Sequence, residues 1–161
     1  MRRIIILLVA SLLLLGVPAA QASSGDNVAF EEVLFGDFGF FYDGPSDLVI
    51  RNPRQWCEFW NQTHGTQTDP PSCDLSLVDF QYEVVIASAI AGGNGCYRID
   101  ITRIEAGPGR GALRVFARDT VPDRHCICTQ SLVFRVQAVV VSKPVGRVRF
   151  IHETATLQCE R

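Results

Sequence analysis

The chain has no run of basic residues, no internal repeat and no low-complexity tract. Without a basic run nothing stands ready to neutralise a phosphate backbone, so nucleic acid is not an expected partner. Nor is there an apolar stretch of the roughly twenty residues that cross a bilayer as a helix. The longest apolar segment, Ile4 to Val17, is about fourteen residues and falls short of that length. It follows Arg2 and Arg3 and leads to Ala20-Gln21-Ala22, the small-x-small pattern of a secretory signal peptide. Residues 1–22 are therefore expected to be removed, leaving residues 23–161 as the exported domain. The expected location is secreted or periplasmic, with no stable membrane insertion after cleavage. No cysteine stands near the cleavage site, so a lipid anchor is not suggested.

The signatures of common catalysts are missing as well. No Gly-x-Ser-x-Gly elbow appears. The three histidines, His64, His125 and His152, have no neighbouring acid and nucleophile at a spacing that singles one out. Triads assemble in space, so a hydrolase built around His125 or His152 stays open as an alternative. Asp74, Asp79 and Glu83 lie close together and read as a solvated loop. The stretch Gly92-Gly93-Asn94-Gly95 resembles a phosphate loop only in its glycines. A phosphate loop needs a lysine and a following helix, whose N-terminus receives the anion. Here no lysine follows, and the next residues alternate like a strand. The segment reads as a turn or bulge, or as a loop that another protein touches.

What is present begins with a mature chain of 139 residues out of 161, enough for one domain with its own core. Losing Arg2 and Arg3 takes 15 basic side chains to 13, against 17 acidic ones, a mild net charge of −4. All six cysteines lie in the mature part: Cys57, Cys73, Cys96, Cys126, Cys128 and Cys159. An even number in an exported chain argues for disulfides. The cluster His125-Cys126-Ile127-Cys128 would suit a soft metal only if further ligands came from elsewhere, such as His152 or His64. In an oxidising compartment cross-linking is the expected fate. Cys126 and Cys128, two apart on one expected strand, pair poorly with each other. Each should reach a different partner, with Cys96 and Cys159 the candidates. That leaves Cys57 with Cys73. No metal and no cofactor is assigned.

One helix is expected, over Asn52 to Gly65. Asn52 is the N-cap, Pro53 suits the first helical position, and Gln55 completes an Asn-x-x-Gln capping box. Trp56, Phe59, Trp60 and Thr63 fall on one helical face, read as packing against a sheet rather than as a sugar platform. The rest reads as β. Residues 28–51 give extended segments broken by Gly36, Gly39 and Asp43-Gly44-Pro45, with Leu48, Val49 and Ile50 a short strand. Residues 82–92 are almost continuously apolar, like a strand buried on both faces. Tyr97, Ile99 and Ile101 alternate with Arg98, Asp100 and Thr102. Leu113, Val115 and Ala117 alternate again, Cys126 to Lys143 supplies one or two strands, and Val148, Phe150 and His152 share a face. Gly107-Pro108-Gly109 and Lys143-Pro144-Val145-Gly146 are the turns. The expected fold is α+β: an antiparallel, β-rich single domain with one short helix packed on the sheet.

Taken in order, "RNPRQWCEFW", "PPSCDLSLVDFQYEVVIASAIAG", "GGNGCYRIDITRI", "LRVFARDTVPD" and "QSLVFRVQAVVVSKPVGRVRF" resemble the C-terminal domain of the PrcB family. The likeness runs from about Phe30 to Ile151. It implies an exported, non-catalytic accessory domain, with no active-site residues to carry over and a partner protease that it helps to assemble or stay stable. The cysteines depart from that pattern. The glycine–tyrosine turn also has a faint likeness to the loops of chagasin-type inhibitors of cysteine proteases. The expected function is thus binding of another exported protein, with protease inhibition through the glycine-rich loop as the alternative. The expected contact residues are Gly92, Gly93, Asn94, Gly95 and Tyr97.

Overall fold

In the computed structural model, residues 25–38, 46–64, 73–91, 94–130 and 134–159 are described. The proposed signal peptide, residues 39–45, Gly65 and Ser131 fall outside them. Among the described residues, seven strands, one α-helix and one short 3-10 turn (Leu75–Leu77, between α1 and β3) are arranged in the order β1 (Glu31–Phe38), β2 (Asp47–Ile50), α1 (Pro53–His64), β3 (Glu83–Ala91), β4 (Arg98–Ala106), β5 (Leu113–Pro122), β6 (Phe134–Ser142) and β7 (Val148–Leu157). They make two sheets, one of four strands ordered β1-β6-β3-β2 and one of three ordered β4-β5-β7.

The helix starts where its caps place it. The Asn52 side chain accepts the Gln55 N–H at 3.0 Å. Gln55 reaches back one residue further than a standard capping box and accepts the Arg51 N–H at 2.8 Å. Trp56, Phe59 and Thr63 are buried, and Trp60 packs beside them. They lie against Ile50, Val85, Ala87, Ala89, Val136, Ala138 and Val140 on one face of the larger sheet. The Trp56 indole N–H donates to the Asp74 carbonyl at 2.8 Å, and the Cys57–Cys73 disulfide closes the same corner.

The opposite face of that sheet carries Val84, Ile86, Val139 and Val141 against Ile101, Ile104, Leu113 and Val115 of the smaller sheet. The order of layers is therefore helix, four-stranded sheet, three-stranded sheet. This explains why β3 and β6 are apolar at nearly every position: odd and even residues each meet a different layer. The α+β, β-rich fold with a single short helix is the one expected from the sequence.

Three details differ from that expectation. Gly36 lies inside β1 rather than ending it, and β1 is instead irregular between Glu32 and Leu34. In β4 the register shifts between Ile101 and Arg103. The extra residue moves the inward face from Ile99 and Ile101 to Ile104, so the apolar spacing steps from two to three. Finally, β5 and β7 run parallel. The chain leaves β5, crosses the larger sheet as β6, and returns to lie beside β5 in the same direction. A sandwich that alternates its strands between sheets produces this without any helical crossover.

Among the described residues no helix is long and apolar enough to cross a membrane.

Candidate functional site

Two groups of side chains stand out from the packing. The first is a platform held by two disulfides. Leaving β5, Asp123 donates its N–H to the Leu157 carbonyl at 3.0 Å. Its carboxylate accepts the His125 N–H at 2.9 Å, and its carbonyl accepts the Cys126 N–H at 3.0 Å. This tight turn delivers Cys126 to Cys159, just past β7. Two residues on, Cys128 is bridged to Cys96, just before β4. The pairing agrees with the sequence argument that Cys126 and Cys128 take different partners. The segment is not a strand, however. Residues 126–130 have no regular secondary structure, because the two sulfurs are drawn to opposite edges of the three-stranded sheet.

With both flanking sulfurs turned toward the body of the protein, the residue between them turns outward. Ile127 is 100 % exposed, against 62 % for Tyr82, 48 % for Leu75 and less for the other exposed large apolar side chains. Arg124 and His125 are exposed beside it, with the Arg124 Nε donating to His125 Nε2 at 3.1 Å. All six cysteines are in intramolecular disulfides, and no free one remains. Disulfide-bonded sulfurs are not thiolate ligands, so Cys126 and Cys128 are closed to a metal. Three such bridges fit an extracellular or periplasmic protein.

The expected contact loop borders this platform. Gly92 and Gly93 lie outside the described residues. Asn94, Gly95 and Tyr97 are half-buried. The Asn94 side chain accepts the Cys96 N–H at 3.1 Å, and the Asn94 carbonyl accepts the Tyr97 N–H at 3.1 Å. Gly95 donates to the Thr129 carbonyl at 3.1 Å, and its own carbonyl accepts from Arg135 at 3.0 Å. A Cβ on Gly95 would stand 2.0 Å from Thr129 Oγ1. This glycine lets two segments meet, which is a scaffold role for at least part of the loop.

The second group links the two sheets at an exposed position. Val148, Phe150 and His152 share one face of β7 as expected; Val148 and Phe150 pack toward the larger sheet, and His152 is the exposed, polar end of that row. Its Nδ1 is 3.0 Å from Asp119 of β5, and its Nε2 is 3.0 Å from Asp47 of β2. Asp47 also accepts the hydroxyl of buried Ser88 at 2.8 Å. Burial disfavours the charged imidazole, but hydrogen bonds to Asp47 and Asp119, with their charges, outweigh it and raise the His152 pKa. Nearby, Gln137 accepts the N–H of Ile101 and donates to Glu32 at 2.5 Å, a second polar tie across the sheets.

Serine, histidine and two aspartates in one place invite comparison with a hydrolytic triad, yet the connectivity differs. A general base needs one imidazole nitrogen facing the nucleophile. Here each ring nitrogen faces a carboxylate, and the Ser88 hydroxyl donates to Asp47. The arrangement suits an imidazolium clamp that ties β2 of one sheet to β5 and β7 of the other. Sequence reading misses it because Asp47 and His152 are 105 residues apart. Only the alternation that puts His152 on one face with Val148 and Phe150 hints at it. The other two histidines are placed apart: His64 stacks on Trp60, centroids 3.9 Å apart, and His125 lies on the platform. Among the described residues no group of three or more histidine, cysteine or acidic side chains is placed to hold a metal. Asp74 and Asp79 cap turns, Asp74 accepting from Ser76 N at 2.9 Å and Asp79 from Gln81 N at 2.9 Å. The bond from the Ser76 hydroxyl and then that from its N–H lower the Asp74 pKa.

Compared with known proteins, the chain matches no family model, no curated protein and no solved structure.

Proposed function

We propose that this protein is an exported, non-catalytic accessory domain that works by binding another exported protein. The observation that carries this reading is the disulfide-held platform with a wholly exposed isoleucine at its crest. An apolar side chain kept in water by rigid covalent supports is costly to leave uncovered and favourable to bury, by about 1.5–3 kcal/mol for a full side chain. Bridges also reduce the ordering that binding would otherwise require. The sequence resemblance to the PrcB family points the same way, toward a partner that is a protease. The half-buried loop of residues 94–97 is proposed as the neighbouring edge of the contact.

The test is recovery of a single exported partner by the native, oxidised protein, followed by titration of the two purified components. The reading expects saturable binding at equal stoichiometry, weakened by Gly93→Trp or by reduction of the bridges. No partner binding at micromolar concentration, or equal binding after reduction, would count against it. A hydrolase built on His152 is tested by profiling ester, amide and glycoside substrates with the native protein and His152→Ala. Turnover lost in that variant would replace the binding reading.

A further inference from the structure

Cys126 and Cys128 are anchored to different parts of the scaffold, and a single residue separates them. Cys126 is tied to Cys159 beyond β7, and Cys128 to Cys96 ahead of β4. The peptide bond between Ile127 and Cys128 therefore has an independent covalent support on each side. Hydrogen bonds repeat the pattern. On the N-terminal side the Cys126 N–H is held by Asp123, and on the C-terminal side the Thr129 carbonyl is held by Gly95. Between these supports Ile127 presents its entire side chain to solvent.

A loop that is rigid, crossed by supports on both sides of one bond, and crested by one free side chain is built to resist being cut where it is gripped. We propose that Ile127 is the anchor of a substrate-like inhibitory loop, taken by a serine endoprotease whose specificity pocket accepts a branched aliphatic side chain. This rests on the binding reading above and names its partner class and contact residue. It moves the inhibitory contact from the glycine-rich loop to the neighbouring segment of residues 126–128. Preorganised loops bind proteases with little backbone movement, so rigidity here becomes affinity.

The bridges also set the outcome of an attack on that bond. The protease serine oxygen adds to the Ile127 carbonyl carbon, and the Ile127–Cys128 bond breaks. The proton from the serine passes to the amine of Cys128. That amine does not diffuse away, because Cys128 is still bonded to Cys96. It attacks the ester, re-forms the peptide bond and returns the proton to the serine. Escape by hydrolysis requires water to reach the ester before the tethered amine does.

The experiment titrates pancreatic elastase with the native oxidised protein, using trypsin as the comparison. Elastase activity is expected to fall stoichiometrically, while trypsin is spared. Ile127→Gly, which removes the whole side chain from the pocket, should weaken inhibition roughly ten- to hundredfold. Ile127→Asp, which would place a carboxylate in an apolar pocket, should weaken it by about a hundredfold or more. Ile127→Lys should transfer inhibition from elastase to trypsin, an exchange that a merely structural residue would not produce. Because Ile127 makes no packing contact, the variants should melt like the native protein. Full elastase activity at micromolar native protein, equal inhibition by Ile127→Asp, or rapid cleavage at Ile127–Cys128 without inhibition would overturn the proposal. Saturable binding to an exported partner alongside any of those results would leave the broader binding reading standing; its absence would remove both.

Discussion

His152 is the residue whose chemistry depends most on the fold, since its two carboxylate partners come from two different sheets. Its pKa is raised in the folded protein. The imidazolium therefore contributes stability that is fully present below the unfolded value near 6.5 and is lost as pH rises through the raised folded value. Melting temperature measured from about pH 5 to 9 should fall more steeply above neutrality for the native protein than for His152→Gln. Parallel curves for the two would contradict the clamp. Among the described residues Trp56 is the largest fully buried side chain, 0 % exposed. Trp56→Ala should cost about 3–5 kcal/mol in urea unfolding, from lost contacts and the cavity left behind. Trp56→Phe should cost less, chiefly the bond to the Asp74 carbonyl, about 1 kcal/mol. Residues like Trp56 are readable in advance because periodicity alone places them on a buried face. Ile127 is not: between two cysteines it looks like the middle of a strand, and only the direction of the bridges turns it outward.

The helix and the paired strands differ in how much of their placement is local. Pro53–His64 carries its own start signal, so Asn52→Ala should lower stability by about 1 kcal/mol, seen as a lower urea midpoint with unchanged slope. Its bridge to the following loop spans 16 residues. Replacing Cys57 and Cys73 together with alanine should cost about 3 kcal/mol on the loop-entropy account. A loss well under about 1 kcal/mol would mean that the unfolded chain is already restricted there. The doubly buried β3 and β6 also announce themselves, because a strand covered on both faces must be apolar at both parities. The parallel pairing of β5 with β7 does not. Parallel and antiparallel partners demand the same alternation within a strand, and the choice is made by β6 lying in the other sheet. The bulge in β4 falls between these cases. Its apolar spacing changes at Ile104, yet strict alternation is the simpler reading of Tyr97 to Thr102.

On the largest scale the protein stacks a helix on one sheet and that sheet on another, with the two sheets joined by polar ties at Asp47–His152–Asp119 and Glu32–Gln137–Ile101. Two of its three disulfides gather around the chain segments that enter β4, leave β5 and extend beyond β7. Core packing does not require so much covalent support at an exposed loop, and the proposed function gives that support a use. Alkylation of the native protein should add nothing, and alkylation after reduction should modify all six cysteines. The measurement that bears most directly on the proposed binding role is site-specific photo-crosslinking in the exported fraction. One copy would carry the crosslinking side chain at Ile127, and another at Tyr82, which is also well exposed. The account predicts one discrete crosslinked partner from position 127 and none from position 82. No adduct at 127, or the same adducts from both positions, would contradict it.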